Sequence, residues 1–127
     1  MDKNHWHDIV EHVDVHAPFE SCGLLAGKKD RVEKVLFVRN QAQSPERFVM
    51  DPYEQLHAFE WIESNELDLL GIFHSHPAGP ETVSPTDITE ASYNVVHVIC
   101  SKSDGTWKLR GFWIANGEVT EVSLQIK

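Results

Sequence analysis

The chain has 127 residues, 41% of them hydrophobic and 24% charged, with a formal net charge of −9. That length suits one domain spanning 1–127, with a core large enough to need no disulfide or metal staple. The acidic balance argues against a nucleic-acid partner, because phosphate backbones select basic surfaces.

No apolar run approaches the ~18 residues of a membrane span, and Met1-Asp2-Lys3-Asn4-His5 lacks the basic-then-apolar layout of a signal peptide. The two cysteines, Cys22 and Cys100, lie in apolar surroundings. A reducing, cytoplasmic setting with no membrane partner is therefore expected.

Residues 4–16 carry Trp6, Ile9, Val10 and Val13 at helical spacing, the pattern of an amphipathic helix. His12 and His16 stand one turn apart on it. They read as solvated surface histidines, since no third ligand is well placed and the His-Glu-x-x-His pattern is absent. Ala17-Pro18 ends the helix. Glu20 follows, just before Cys22–Gly27, a run rich in small residues that reads as a buried strand. On these residues alone Glu20 is either an exposed loop carboxylate or a group projecting into a cleft. Cys22 reads as a small buried thiol and not as a nucleophile. Lys28-Lys29-Asp30 makes a turn, 31–39 alternates as a hairpin partner strand, and polar 40–50 is the best candidate for a loop over the site.

Asp51-Pro52 supplies the cap and first position of a second helix, with Leu56, Phe59, Trp61 and Ile62 expected on its buried side. Asn65-Glu66 closes it. The apolar run 67–73 then reads as a strand running into His74-Ser75-His76-Pro77. Side chains alternate along a strand, so His74 and His76 project the same way. Pro77 and Gly79-Pro80 stop the strand and turn the chain. Ser84, Pro85 and Asp87 give the N-cap, first position and first-turn carboxylate of a third helix reaching about Tyr93. Val95–Cys100 is a continuous apolar run, so a central strand. After a turn at 103–105, 106–114 alternates, Asn116-Gly117 signals a hairpin, and 118–126 is the final strand. The fold class is α/β: a mixed sheet flanked by helices, with the long C-terminal hairpin supplying antiparallel strands.

Two imidazoles and a carboxylate, delivered from a strand end and a helix start, make a three-ligand set with a fourth position for water. That is the pattern of catalytic rather than structural zinc. A plainer reading fits the same residues. Eight histidines make a His-x-His pair common by composition, and His5-Trp6-His7 repeats the spacing with no strand before it. Ser84-x-x-Asp87 is close to a capping box, and Asp87 is favourable against the helix dipole. Spacing alone leaves both readings open.

The full string carries more. His74-Ser75-His76-Pro77, then Ser84-x-x-Asp87, with Glu20 far upstream, resembles the signature of the JAMM (MPN) zinc metalloproteases. Glu20-Ser21-Cys22-Gly23-Leu24-Leu25-Ala26-Gly27 is similar to the segment bearing that family's glutamate. The stretch from Asn40 through Ser44-Pro45-Glu46-Arg47-Phe48-Val49-Met50-Asp51-Pro52 resembles the connecting region of its short prokaryotic members. One departure is Val83, where the family often has proline. The resemblance implies a cytidine-deaminase-like core and one Zn2+ held by His74, His76 and Asp87. It also implies Glu20 as catalytic base and Ser84 as an oxyanion-stabilising hydroxyl, with Ser75 and Pro77 only shaping the turn.

The substrates implied are ubiquitin-like or sulfur-carrier proteins, cut after a C-terminal Gly-Gly at an isopeptide or peptide bond. A non-catalytic interaction scaffold is the main rival, disfavoured by the intact set of five residues. A zinc amidohydrolase on another substrate is a further alternative. A zinc deaminase would need a Pro-Cys-x-x-Cys segment and a His-x-Glu, which are absent. A nuclease is disfavoured by the charge.

Overall fold

Periodicity and caps sort the chain into three helices and six strands in the computed structural model, which describes residues 1–127. In order these are α1 (Lys3–His16), β1 (Cys22–Lys28), β2 (Arg31–Val38), α2 (Pro52–Ser64) and β3 (Asp68–His76). Then come α3 (Pro85–Glu90), β4 (Val96–Ser103), β5 (Thr106–Ala115) and β6 (Glu118–Val122). Asp2 caps α1 by accepting the His5 N–H, and Asp51 caps α2 by accepting those of Tyr53 and Glu54, with Pro52 at the first position. The strands form one sheet in the order β2-β1-β3-β4-β5-β6. β3 and β4 run parallel and every other neighbouring pair is antiparallel. This is the mixed α/β sheet that the alternation implied.

The period of two along each strand splits the core into two layers. Ile9 and Val13 of α1 pack on Leu25, Val35, Phe73, Val98 and Cys100. Ala58 and Ile62 of α2 pack on Cys22, Leu24, Ala26, Val38 and Ile72. The two cysteines are thus buried in opposite layers, both free, and burial pushes the Cys22 thiol up to about 12. Gly23 is what lets β1 lie between close neighbours. A Cβ there would sit 2.3 Å from the Phe73 ring and 2.5 Å from the Leu36 carbonyl. No helix is long and apolar enough to cross a membrane.

Several expectations need correction. The buried strip of α2 is Ala58 and Ile62, while Leu56 is 53% and Trp61 37% exposed and Phe59 is half-buried. Close approach to β1 selects the small Ala58, and Leu56 lies about 200° around the helix from it. α3 stops at Glu90 instead of near Tyr93, ahead of Ser92 and Asn94, which compete with helical bonding. β6 stops at Val122 instead of 126. Beyond it the tail pairs with the N-terminus: the Met1 amino group donates to Gln125 O and Lys127 N–H to Met1 O.

His12 is not solvated. It is half-buried, with its ring stacked on Phe37 at 4.1 Å and 19° and lying 4.2 Å from that of His16. His16 is exposed, as read, and its Nδ1–H donates to His12 O. Burial, and then the charge of His16, pushes His12 from 6.5 down to about 4. A depressed histidine takes up its proton more readily in the unfolded chain. Its contribution to stability is therefore fully present above pH ~6.5 and is lost as pH falls through about 4. His12→Phe keeps an aromatic on Phe37 without the titration. The urea midpoint of the wild type should fall relative to that of His12→Phe between pH 7 and pH 4.5; parallel pH profiles would refute the assignment.

Candidate metal centre

Strand alternation puts His74 and His76 on one face of the end of β3, with Ser75 between them pointing away. They are 1% and 3% exposed. Opposite them in antiparallel register lies the start of β1, where Cys22 pairs with His74. One step before β1, Ser21 and Ser75 are joined twice: Ser21 N–H donates to Ser75 Oγ at 2.8 Å and Ser75 N–H to Ser21 O at 2.9 Å. Glu20, next to Ser21, is thereby delivered into the interior at 4% exposure. Ser75 was expected to shape the turn. It is instead fully buried within β3 and ties the two strands together.

The third donor comes from the crossover that follows β3. Ser84 N–H donates to Asp87 Oδ2 at 2.8 Å and Asp87 N–H to Ser84 Oγ at 3.1 Å, a complete capping box at the start of α3. The same carboxylate meets both imidazoles. Asp87 Oδ1 is 3.1 Å from His74 Nε2, Asp87 Oδ2 is 3.1 Å from His76 Nε2, and the two Nε2 atoms are 3.1 Å apart. Capping and ligand geometry are thus realised together by one side chain. Ser84 Oγ uses a lone pair on the Asp87 amide, and its hydroxyl proton stays free to donate.

The two Nε2 atoms are 3.1 Å apart and each lies 3.1 Å from a different oxygen of Asp87, spacings that suit a small tetrahedral cation. Ligand atoms about 2.0–2.1 Å from zinc stand roughly 3.3 Å from one another. His76 Nδ1–H donates to Pro80 O at 2.8 Å, which holds the tautomer whose Nε2 lone pair points into the trio. His74 Nδ1 is buried without a partner, and the Phe48 ring stacks on this imidazole at 4.4 Å and 27°.

Glu20 stands slightly apart. Its Oε2 is 4.0 Å from His76 Nε2, and its Oε1 is buried without a partner. Ligand atoms of Glu20, His74 and His76 fall within 4.8 Å of one another, a looser group than the His74–His76–Asp87 trio. The trio is the tighter group, and the Glu20 carboxylate faces it.

The local charges pull in opposite directions. Burial raises Glu20 to about 8, opposed by His76 and reinforced by Asp87 and Glu46. Burial would also raise Asp87, but contacts with His74 and His76 outweigh it and hold the carboxylate below its ordinary range. Burial lowers His74. At His76 the lowering by burial is outweighed, chiefly by Asp87 and the Pro80 carbonyl, and the net shift is upward.

The loop 40–50 lies against this site, as expected, and is tied down. Asn40 bridges to Met50, Glu20 N–H donates to Ser44 O at 2.8 Å, and Arg47 pairs with Glu90 at 3.2 Å. Two residues of it, Phe48 and Asn40, stand in the sequence only as part of the resembling stretch, with no role attached to either. Phe48 was visible as a lone aromatic in a polar stretch. Asn40 carried no local signal beyond its place after a strand. A broad concavity elsewhere on the molecule, lined by Lys28, Arg31, Leu70, Val96 and Leu124, includes no residue of the trio.

The model for the family of prokaryotic homologs of the JAB domain matches residues 2–116. A desampylase from Pyrococcus furiosus is 38% identical over 110 residues, covering 85% of this chain and 76% of that protein. A probable TtuB-protein conjugate cleaving protease from Thermus thermophilus is 40% identical over 116 residues, covering 91% and 74%. A protein from Desulfitobacterium hafniense with a known solution structure superposes with a TM-score of 0.88 at 34% identity, covering 100% of this chain and 93% of that one.

Ser75→Ala keeps the Ser75 N–H to Ser21 O bond but strips the buried Ser21 N–H of its acceptor. The expected loss is about 1–3 kcal/mol, read as a lower urea midpoint at unchanged m-value. A wild-type midpoint would show that the strand ends are held by something else.

Proposed function

The chain belongs to the prokaryotic homologs of the JAB domain and is an enzyme, and we propose that it is a zinc-dependent peptidase of ubiquitin-like or sulfur-carrier protein conjugates. The bond cut is the amide after a C-terminal Gly-Gly. The observation that carries this reading is the gathering of His74, His76 and Asp87, each pair of side chains in contact at 3.1 Å, with the Glu20 carboxylate facing them. Two relatives support the substrate class, a desampylase and a protease named for cleaving TtuB-protein conjugates.

His74, His76 and Asp87 would hold the zinc, which when bound supplies Lewis acidity and brings a water toward a pKa of about 7. The field of such a dication opposes the upward shift that burial gives Glu20. Glu20 then serves as base: it accepts the attacking water's proton and returns it to the departing amine. Ser84 Oγ–H donates to the oxygen that gains charge at the scissile carbonyl, a type of contact worth about 3 kcal/mol. The Pro80 carbonyl and the Phe48 ring fix the two imidazoles. An extended Gly-Gly tail suits such a site, because it can bind as an added strand and glycine lets its backbone approach closely.

Two results would test this. Glu20→Ala should retain one zinc per chain by elemental analysis and lose about 10²–10⁴-fold in turnover, whereas His74→Ala should lose both metal and activity. Turnover retained in either variant would sink the mechanism. Mass spectrometry of a ubiquitin-like protein ending in Gly-Gly and fused to a short C-terminal extension should show wild-type cleavage after the second glycine. Replacing both glycines by valine should slow it at least tenfold, a loss attributed to the blocked backbone approach; equal rates would refute the tail specificity.

A further inference from the structure

Asn40 is the second residue after β2 and is 9% exposed. A buried side-chain amide has two N–H donors and an oxygen with two lone pairs to satisfy. Asn40 satisfies all four. Its Nδ2 donates to Glu20 O at 2.9 Å and to Arg47 O at 3.0 Å. Its Oδ1 accepts from Ala42 N–H at 3.0 Å and Val49 N–H at 2.9 Å. The partners fix the amide's orientation, since two carbonyls require the nitrogen and two backbone N–H groups require the oxygen. No aspartate or leucine of similar size can make this set.

The consequence concerns Glu20. Its carbonyl is held by Asn40 itself, and its N–H is held by Ser44 O, on the loop that Asn40 folds. The peptide groups on both sides of the Glu20 Cα are therefore anchored through one side chain. The next residue, Ser21, is anchored separately by Ser75. Phe48, on the same loop, packs on His74. We propose that Asn40 is a positioning residue for the reaction: it sets where the Glu20 carboxylate stands relative to the His74–His76–Asp87 trio, without itself touching substrate. This rests on the reading of Glu20 as the base. The loop 40–50 then acts as a fixed buttress behind the base.

Asn40→Ala removes all four bonds. Asn40→Asp keeps both acceptor bonds of the loop and turns the two donor bonds into repulsions, so the loop fold survives while the grip on Glu20 is lost. Three readouts apply to both variants: amide hydrogen exchange at Glu20, zinc content, and steady-state kinetics on the Gly-Gly fusion. In Asn40→Ala, where the loop presenting Ser44 O loses its ties, the Glu20 amide should exchange at least ~10-fold faster while Leu24 and Leu25 in β1 stay as protected as in the wild type; in Asn40→Asp, which keeps that loop, it should stay close to the wild-type rate. Zinc should remain at one per chain, with kcat falling roughly 10- to 100-fold and KM staying within about twofold, the pattern of a lost transition-state contact. In a Glu20→Ala background Asn40→Asp should change the residual rate no further, because the two act as one unit.

A wild-type exchange rate at Glu20 in Asn40→Ala, a wild-type kcat in folded Asn40→Asp, or an equal fold-loss with and without Glu20 would each overturn the proposal. If the wild type fails to cleave the fusion, or Glu20→Ala cleaves it normally, the reading of the base and substrate fails instead. The exchange of the Glu20 amide still decides in that case whether Asn40 holds this residue.

Discussion

The two hydrogen bonds between Ser21 and Ser75, residues 54 apart in sequence, lock the start of β1 against the end of β3. Register matters here more than elsewhere in the sheet. A slip of one residue would turn His74 and His76 toward the opposite layer and carry Glu20 away from them. Several features defend the pairing. Gly23 leaves room for Phe73 and for the Leu36 carbonyl, and the Cys22 Sγ lies 3.3 Å from the Val38 carbonyl on the other side of β1. Leu24 and Leu25 then anchor β1 in the two opposite core layers. The chemistry is thus set by ordinary strand pairing, with the reactive groups placed just where the pairing ends.

That placement is costly for the bare polypeptide. Glu20, His74, His76 and Asp87 are gathered in a buried volume where burial alone disfavours the charged form of every one of them. Glu20 is pushed up while Asp87 is held down, so two carboxylates a few ångströms from the same histidine are shifted in opposite directions. Unpaired atoms remain at Glu20 Oε1 and His74 Nδ1. Such conflicts are expected where a site is organised for a ligand rather than for stability. A divalent cation among the three donors removes most of the conflict, since it favours neutral imidazoles and ionised carboxylates together.

The parts legible in the sequence were those with short-range causes. His74 and His76 could be placed on one face because strand alternation is rigid, and Ser84-Pro85-x-Asp87 could be read as a helix start because capping is local. Glu20 had no such signal. Its burial depends on Ser75, Asn40 and Ser44, all remote in sequence, so only the resemblance of the whole string singled it out. The buried side of α2 was misread for a related reason. Leu56 and Trp61 are larger than Ala58, yet distance from the sheet, not side-chain size, selected the contact strip. His12 reads as polar in sequence, and only the edge strand's Phe37 makes its ring part of a stack.

The parallel pairing of β3 with β4 explains why the third donor comes from a helix. Antiparallel neighbours can be joined by tight turns, but a parallel pair forces the chain to leave the sheet and cross back to the end where the first strand began. Residues 77–95 make that excursion directly from the end of β3, so whatever starts there is carried past His74 and His76. Crevices at such strand ends are where open α/β sheets bind their ligands. α3 is six residues long and buries no residue fully, which leaves it little core of its own to dock on. Its ion pair Arg47–Glu90 is exposed on both sides and therefore worth little. What ties α3 to the sheet is its first turn, where Asp87 is fixed by Ser84 and meets both imidazoles. The same contacts that form the centre therefore hold the crossover in place, and the helix and the site stand or fall together.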